Sequence, residues 1–369
     1  MAGIGHSRGL LVRMVCGCQL CCDSVAACDV LVIATDTRSM TKDEAIAHTM
    51  VIAEAITGDN LLFKKTDSAL RGHVVAELKT LMETTGYGRA VFMPANPSKG
   101  RIIRGGEYFI NSVPLHKTAF GYDPEFPALT SSLRERFPDA EAAGIIIPDA
   151  ETEEDIDNIV AHYNDGRTLF AGGADLFKSL TQNKHAGTEP PHAGTECAPT
   201  GLLGQCEDLL GAWPKTATKC TESPYVLILC GSTQSKPQTL GFPKSGMPLT
   251  VYDGSDDLEL WLADALSKYM AEGSLMLTIP HTHHTGRDVA IHLRTMMAKM
   301  ARDIVGHRPP HHIIIEGGAT AWATLQALGW SQFEIMRQWA PGVVSMQADN
   351  GTIVTLKPGS YPWNNKNEK

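Results

Sequence analysis

What most constrains this chain is a rhythm: an apolar run, a polar loop and a stretch of helical spacing follow one another again and again. "DVLVIATDTRS" reads as a strand from Asp29 to Ala34 that ends in polar residues, and "TKDEAIAHTMVIAEAI" after it has helical spacing. "NLLFKKTDS" is a second strand with a charged turn, and "GHVVAELKTLMETTG" an amphipathic helix with Gly86 near its stop. "RAVFMPANPSKGR", "AAGIIIPDAETEEDIDNIVAHY" and "GRTLFAGGADLFKSL" continue the pattern. It returns in "YVLILCGSTQSKPQ", "SLMLTIPH" before the long helix 287–305, and "HHIIIEGGATAWATLQALG". Such an order predicts an α/β fold, with mostly parallel or mixed sheets flanked by helices. Ligands of these folds sit beyond the carboxyl ends of the strands. "FEIMRQWAPGVVSMQAD" and "TIVTLKPGSYP" read as late strands, antiparallel in character.

The rhythm breaks at "TQNKHAGTEPPHAGTECAPTGL", rich in Thr, Pro, Gly and His. This divides the chain into a domain over 1–180, a linker or surface loop over 181–223, and a second domain over 224–369. At 369 residues, 43% hydrophobic and 20% charged, there is enough material for two buried cores. A formal net charge of -9 argues against a nucleic-acid partner, so an anionic ligand would need a local cationic pocket. No uncharged apolar stretch is long enough for a membrane span, and the expected location is cytoplasmic. Of the 9 cysteines, five crowd into "CGCQLCCDSVAAC", which lacks the second half of a zinc site and reads as reduced thiols in or near a strand.

Two groups of residues carry candidate chemistry. Asp36 and Arg38 end the first strand; Lys64, Lys65, Asp67, Ser68 and Arg71 end the second; Asn96, Lys99, Gly100 and Arg101 follow the third. Arg offers a fork for a carboxylate and Lys a point charge, while Asp accepts from hydroxyls. A small hydroxy acid would use all three; Asp67 or Ser68 could instead cap the helix that carries Glu77. The second group is glycine-rich. Gly231 and Ser232 follow one strand, Gly317, Gly318 and Thr320 join a strand to a helix, and Gly359 lies in a late loop. Arg287 precedes a helix and could hold a phosphate. Glycines permit close backbone approach, and a helix N-terminus favours phosphate. The histidines of "PHTHHTGRD" and "GHRPPHH" have no H-E-x-x-H spacing and read mainly as loop residues.

With these residues in view, the chain resembles the four-carbon acid sugar kinase family, which includes threonate, erythronate and 3-oxo-tetronate kinases. The resemblance runs from about Arg8 to Trp363 and rests on "TDTRS", "KKTDSALRG", "PANPSKGR", "SVPLHKTAFGYDP", "CGSTQSKPQ" and "APGV…LKPGSY" in that order. It implies a sugar-acid-binding domain, an ATP-binding domain and phosphoryl transfer across the cleft between them, with Mg2+ as the usual companion of ATP. Asp36, Arg38, Lys65, Asp67 and Arg71 fall in its sugar-acid region, with Asp67 or Asp36 as the group that positions or deprotonates the hydroxyl. Ser232, Gly317, Gly318, Thr320 and Gly359 fall in its nucleotide region. The expected partner is a small anionic sugar acid; an edge strand or the 287–305 helix could support a homodimer.

Three departures stand out. The family's opening "ADD-T-GA" type segment has no counterpart here, and similarity starts at "RGLLVRM". The family's "GGET" or "GGDT" is "EGGAT", with Ala319 at the acidic position. The late "KPGNFG" pattern is "KPGSYPW". Two other readings therefore stand beside a working kinase: a truncated or degenerate homologue that binds sugar acid or nucleotide with little turnover, and a metal-dependent hydrolase or lyase built on the histidines.

Overall fold

The computed structural model describes residues 1–17, 28–56, 61–122, 126–182, 225–231, 248–252, 258–279, 287–340 and 342–357. They fall into two compact units. One lies within residues 35–189; the other combines 2–19 and 23–34 with 190–369. Both are α/β, as the repeated pattern requires.

The assignment of the first residues departs from expectation. Strands β1 (Val12–Cys16) and β2 (Val30–Ala34) pair with each other in parallel. They do not belong with the rest of the expected domain 1–180. β1 instead pairs antiparallel with a strand more than 300 residues away, Arg13 opposite Glu334. Local apolar patterning marks a strand but not its partner, and so the boundary moves to about residue 35.

In the unit that follows, helices α1 (Ala2–His6, of the other unit) and α2 (Lys42–Ala55) precede β3 (Phe63–Lys65). A capping box starts α2: Thr41 accepts from the Glu44 N–H, and Glu44 accepts from the Thr41 N–H. Next come α3 (Val74–Thr85), stopped by left-handed Gly86, and β4 (Arg89–Met93). A small antiparallel arm, β5 (Arg101–Arg104), β6 (Glu107–Ile110) and β7 (Val113–Pro114), interrupts the alternation. After α4 (Leu133–Arg136), β8 (Ile145–Ile146), α5 (Glu153–Tyr163), β9 (Thr168–Gly172) and α6 (Ala174–Gln182) complete the unit. The parallel sheet runs β3-β9-β4-β8. Its core gathers Leu78, Phe92, Ile156, Phe170 and Leu176, each contributing about 1.5–3 kcal/mol by burial.

The second unit holds a nine-stranded mixed sheet. β10 (Val226–Cys230), β11 (Leu249–Val251), β12 (Ser274–Thr278), β13 (His312–Glu316) and β16 (Ile353–Lys357) are parallel. β14 (Gln332–Ala340) and β15 (Val343–Ala348) join antiparallel, in line with the reading of the late strands. The order is β11-β12-β10-β13-β16-β15-β14-β1-β2. Helices α7 (Leu258–Glu272), α8 (Arg287–His307) and α9 (Gly318–Leu328) flank it. Residues of α7, α8 and α9 share a core cluster with the strands, including Tyr269, Met297, Leu325 and Ile315. Among the described residues no helix is long and apolar enough to cross a membrane.

Candidate functional site

In the first unit the polar group assembles where β3 and β4 end, with one difference from expectation. The three strand ends, which the sequence order suggests as neighbours, do not adjoin in one sheet. β9 lies between β3 and β4, and Asp36 and Arg38 follow a strand of the other sheet. They reach the site on a short 3-10 turn, Thr37–Ser39, whose preceding residue Asp36 has φ 49° and makes no side-chain cap bond to it.

Asp67 is the hub. Its Oδ2 accepts from Arg71 Nε (3.0 Å) and the Ala69 N–H (2.9 Å), and its Oδ1 from Arg71 Nη2 (3.0 Å). Arg38 Nη1 stands 3.5 Å from Oδ1. Burial alone would raise the carboxyl pKa; the Arg71 hydrogen bonds and charge, the Ala69 amide and Arg38 reverse this and bring it to about 2. Asp67 therefore caps its own turn and holds the Arg71 fork. It does not cap α3, whose N-cap is His73 without a side-chain bond. The turn is tightly wound: buried Leu70 has φ 63°, and its carbonyl accepts from Arg136 Nη2 at 3.1 Å. Arg71 also stacks over Phe120, 5.7 Å to the ring centre.

Lys64 and Lys65 part ways. Lys64 pairs with buried Glu77, which also accepts from the Thr37 hydroxyl (2.9 Å), so it ties β3 to α3. Lys65 has no hydrogen bond or ion pair among the described residues. Its surface stays accessible to solvent, yet its surroundings are crowded. Desolvation lowers its pKa; nearby Asp67 opposes this, while Arg38, Arg101 and Arg71 add to it. The Arg101 Nε is buried without a hydrogen-bond partner. Cations thus outnumber the carboxylate they share, the electrostatic signature of a site for an anion.

The remaining expected residues hold the frame. Asn96 Oδ1 accepts from the Asp175 N–H (2.9 Å), and its backbone exchanges bonds with Arg101. Ser68 lends its carbonyl to the Tyr108 hydroxyl (3.0 Å), which also reaches the Pro94 carbonyl (3.3 Å). Sequence reading missed Tyr108, which sits fully buried on the interrupting arm, and also Asp175. Asp175, buried at the start of α6, accepts from the Ser98 N–H (2.9 Å) and hydroxyl (2.8 Å) and so sets the loop leading into Arg101. The signal for it was an acid in the first turn of a helix after a Gly-Gly pair.

In the second unit the glycine group meets at the carboxyl ends of β10 and β13. A Cβ on Gly231 would stand 1.9 Å from Thr320 Oγ1, so only glycine fits there; Thr320 itself is buried. Gly317 has φ 98°, and a Cβ at Gly318 would meet nothing within 4 Å. The turn thus presents open backbone at the start of the 11-residue α9. The Gly317 N–H donates to the Lys357 carbonyl (2.8 Å). Glycine approach and an open helix start fit a phosphate-bearing nucleotide. The acidic partner that Ala319 lacks is not replaced on that turn; Glu316 is buried against Lys357. Ser232 and Gly359 lie outside the described residues, as does the side chain of Arg287, whose backbone begins α8.

The histidines give no metal centre among the described residues. His311 Nδ1 accepts from the Tyr225 N–H (3.0 Å), and His312, buried, meets Thr355 Oγ1 at 2.7 Å with its pKa pushed down to about 4 by burial. His281, His283 and His284 lie outside the described residues, as do Cys18, Cys21 and Cys22; Cys16 is a buried free thiol.

Residues 7–138 match a sugar-binding N-terminal domain family, and residues 256–361 a nucleotide-binding C-terminal domain family. The chain thus carries a match to a sugar-binding domain family and, after it, one to a nucleotide-binding domain family. It is 34% identical over 110 residues to a D-threonate kinase of Salmonella typhimurium, a stretch covering 29% of this chain and 26% of that one. The chain thus spans about a quarter of the length of the curated relatives that it matches at this identity. A 3-oxo-tetronate kinase of Actinobacillus succinogenes is 21% identical over 90% of this chain and 86% of its own. A crystal structure of a Haemophilus influenzae protein shares the fold, with a TM-score of 0.64 at 19% identity over 97% of this chain and 93% of that one.

Proposed function

We propose that this chain transfers the γ-phosphoryl group of ATP to a hydroxyl of a four-carbon sugar acid. The observation that carries the reading is the cationic excess around Asp67, with neither Lys65 nor Arg101 in an ion pair with a carboxylate among the described residues. Lys65 and Arg101 hold the substrate carboxylate, Arg38 flanks it, and Ser68 and Asn96 line the frame. Arg71, fixed by Asp67, faces charge that develops in transfer. A carboxyl held near 2 is a poor general base at neutral pH, so Asp67 acts by holding Arg71. Asp36, in a left-handed backbone conformation two residues from Arg38, orients the reacting hydroxyl.

Gly231, Gly317, Gly318 and Thr320 form the bed for the nucleotide phosphates, joined by Ser232, Arg287 and Gly359. ATP supplies the phosphoryl group, and Mg2+, carried mainly on its phosphates, neutralises charge. The test is an ATP-consumption screen of this chain with D-threonate, L-threonate, D-erythronate and 3-oxo-tetronate. Acid-dependent ADP release is expected with one of them. Binding of acid and of ADP without turnover would favour the degenerate-homologue reading, and binding of neither would end the proposal.

A further inference from the structure

The described glycines of the nucleotide bed, Gly231, Gly317 and Gly318, have no side chains with which to hold its shape, and glycine is the most permissive backbone. Their stiffness must come from the sheet below. The last rung of that sheet aligns Cys230 of β10, Glu316 of β13 and Lys357 of β16. On it Lys357 Nζ donates to Glu316 Oε1 at 2.7 Å, with the two side chains 1% and 0% exposed. One residue beyond, the Gly231 N–H donates to the Glu316 carbonyl (3.3 Å) and the Gly317 N–H to the Lys357 carbonyl (2.8 Å). The bed therefore hangs from the two charged residues.

A buried ion pair is an expensive way to end two strands whose neighbouring residues include Ile314, Ile315 and Val354. Matched apolar residues would cost less desolvation, and such replacements are often neutral or stabilising. What the pair adds is a fixed distance and direction between the strand ends. We propose that Glu316 and Lys357 are positioning residues for nucleotide binding: they set the height at which β13 and β16 end, and with it the spacing of Gly231, Gly317 and Gly318. This rests on the nucleotide reading of the second unit.

The test compares the full chain with Glu316→Leu/Lys357→Met, which replaces the pair with apolar side chains, and with Glu316→Asp, which keeps the charge on a shorter stem. ADP and D-erythronate binding are measured by calorimetry, and folding by circular dichroism. Both variants should fold and bind the acid within about 2-fold of the parent, while ADP affinity falls at least 10-fold in the apolar pair and several-fold in Glu316→Asp. In turnover the loss should appear in KM for ATP and not in kcat. Folded variants that bind ADP as the parent does would overturn the proposal. If the apolar pair does not fold, Glu316→Asp decides by the same criterion. A parent chain that fails to bind ADP would instead remove the nucleotide reading itself.

Discussion

Asp67→Asn separates a scaffold carboxylate from a catalytic one. The native carboxyl titrates near 2 against an ordinary 3.8. Two pKa units are worth about 2.7 kcal/mol, so this shift stabilises the fold by roughly 2 kcal/mol. The sign follows from the direction. Because the folded value is depressed, the contribution is complete above the unfolded pKa and is lost as pH falls from about 4 through about 2. Urea unfolding at pH 7 should therefore show Asp67→Asn about 2 kcal/mol less stable than the parent, with the gap near half that size by pH 3. In turnover, loosening Arg71 should raise KM for the sugar acid and lower kcat together, with ADP affinity unchanged. A gap that stays constant between pH 7 and pH 3 would refute the stabilising role. A large fall in kcat with unaltered stability would restore Asp67 as a base.

Lys65→Met and Arg101→Met should each weaken sugar-acid binding by about 10-fold or more by calorimetry, since each removes a charge-assisted contact. Acid binding should persist while Lys65 is protonated and fade as pH rises through its lowered pKa; Lys65→Arg should move that alkaline limb upward. Gly231→Ala drives a methyl group into Thr320 and should cost roughly 1–3 kcal/mol in urea unfolding together with a loss of ADP binding. Asp175→Asn should cost about 1–3 kcal/mol through the freed Ser98 donors, with a raised KM for the acid. Chelation by EDTA should abolish ATP turnover, and added Mg2+ should restore it.

Much of this was readable in one dimension because the signals are local. The apolar runs of β4, β10 and β13 and the spacing of α3 and α8 follow from the period of their side chains. The crowding of Lys65, Asp67 and Arg71 at a strand end is likewise visible as text, because seven consecutive residues make it. What stayed hidden depends on partners far along the chain. Nothing near Lys64 says that Glu77 will claim it while Lys65 stays open. Asn96 reads as a ligand but serves Asp175, 79 residues on. The apolar run at 30–34 looks like its neighbours, yet its sheet is completed by residues beyond 330. Glu316 and Lys357 look like unrelated loop-edge charges until parallel pairing sets them on one rung.

The pairing of β1 with β14 also has a consequence during synthesis. More than 300 residues must be made after β1 before the strand that borders it exists, while the intervening unit can already collapse around its own apolar residues. Until then β1 carries an unsatisfied edge, a template for pairing between nascent copies. Slow translation or a crowded polysome should therefore penalise yield of this protein, and a holdase that covers the extended segment around β1 should relieve the loss.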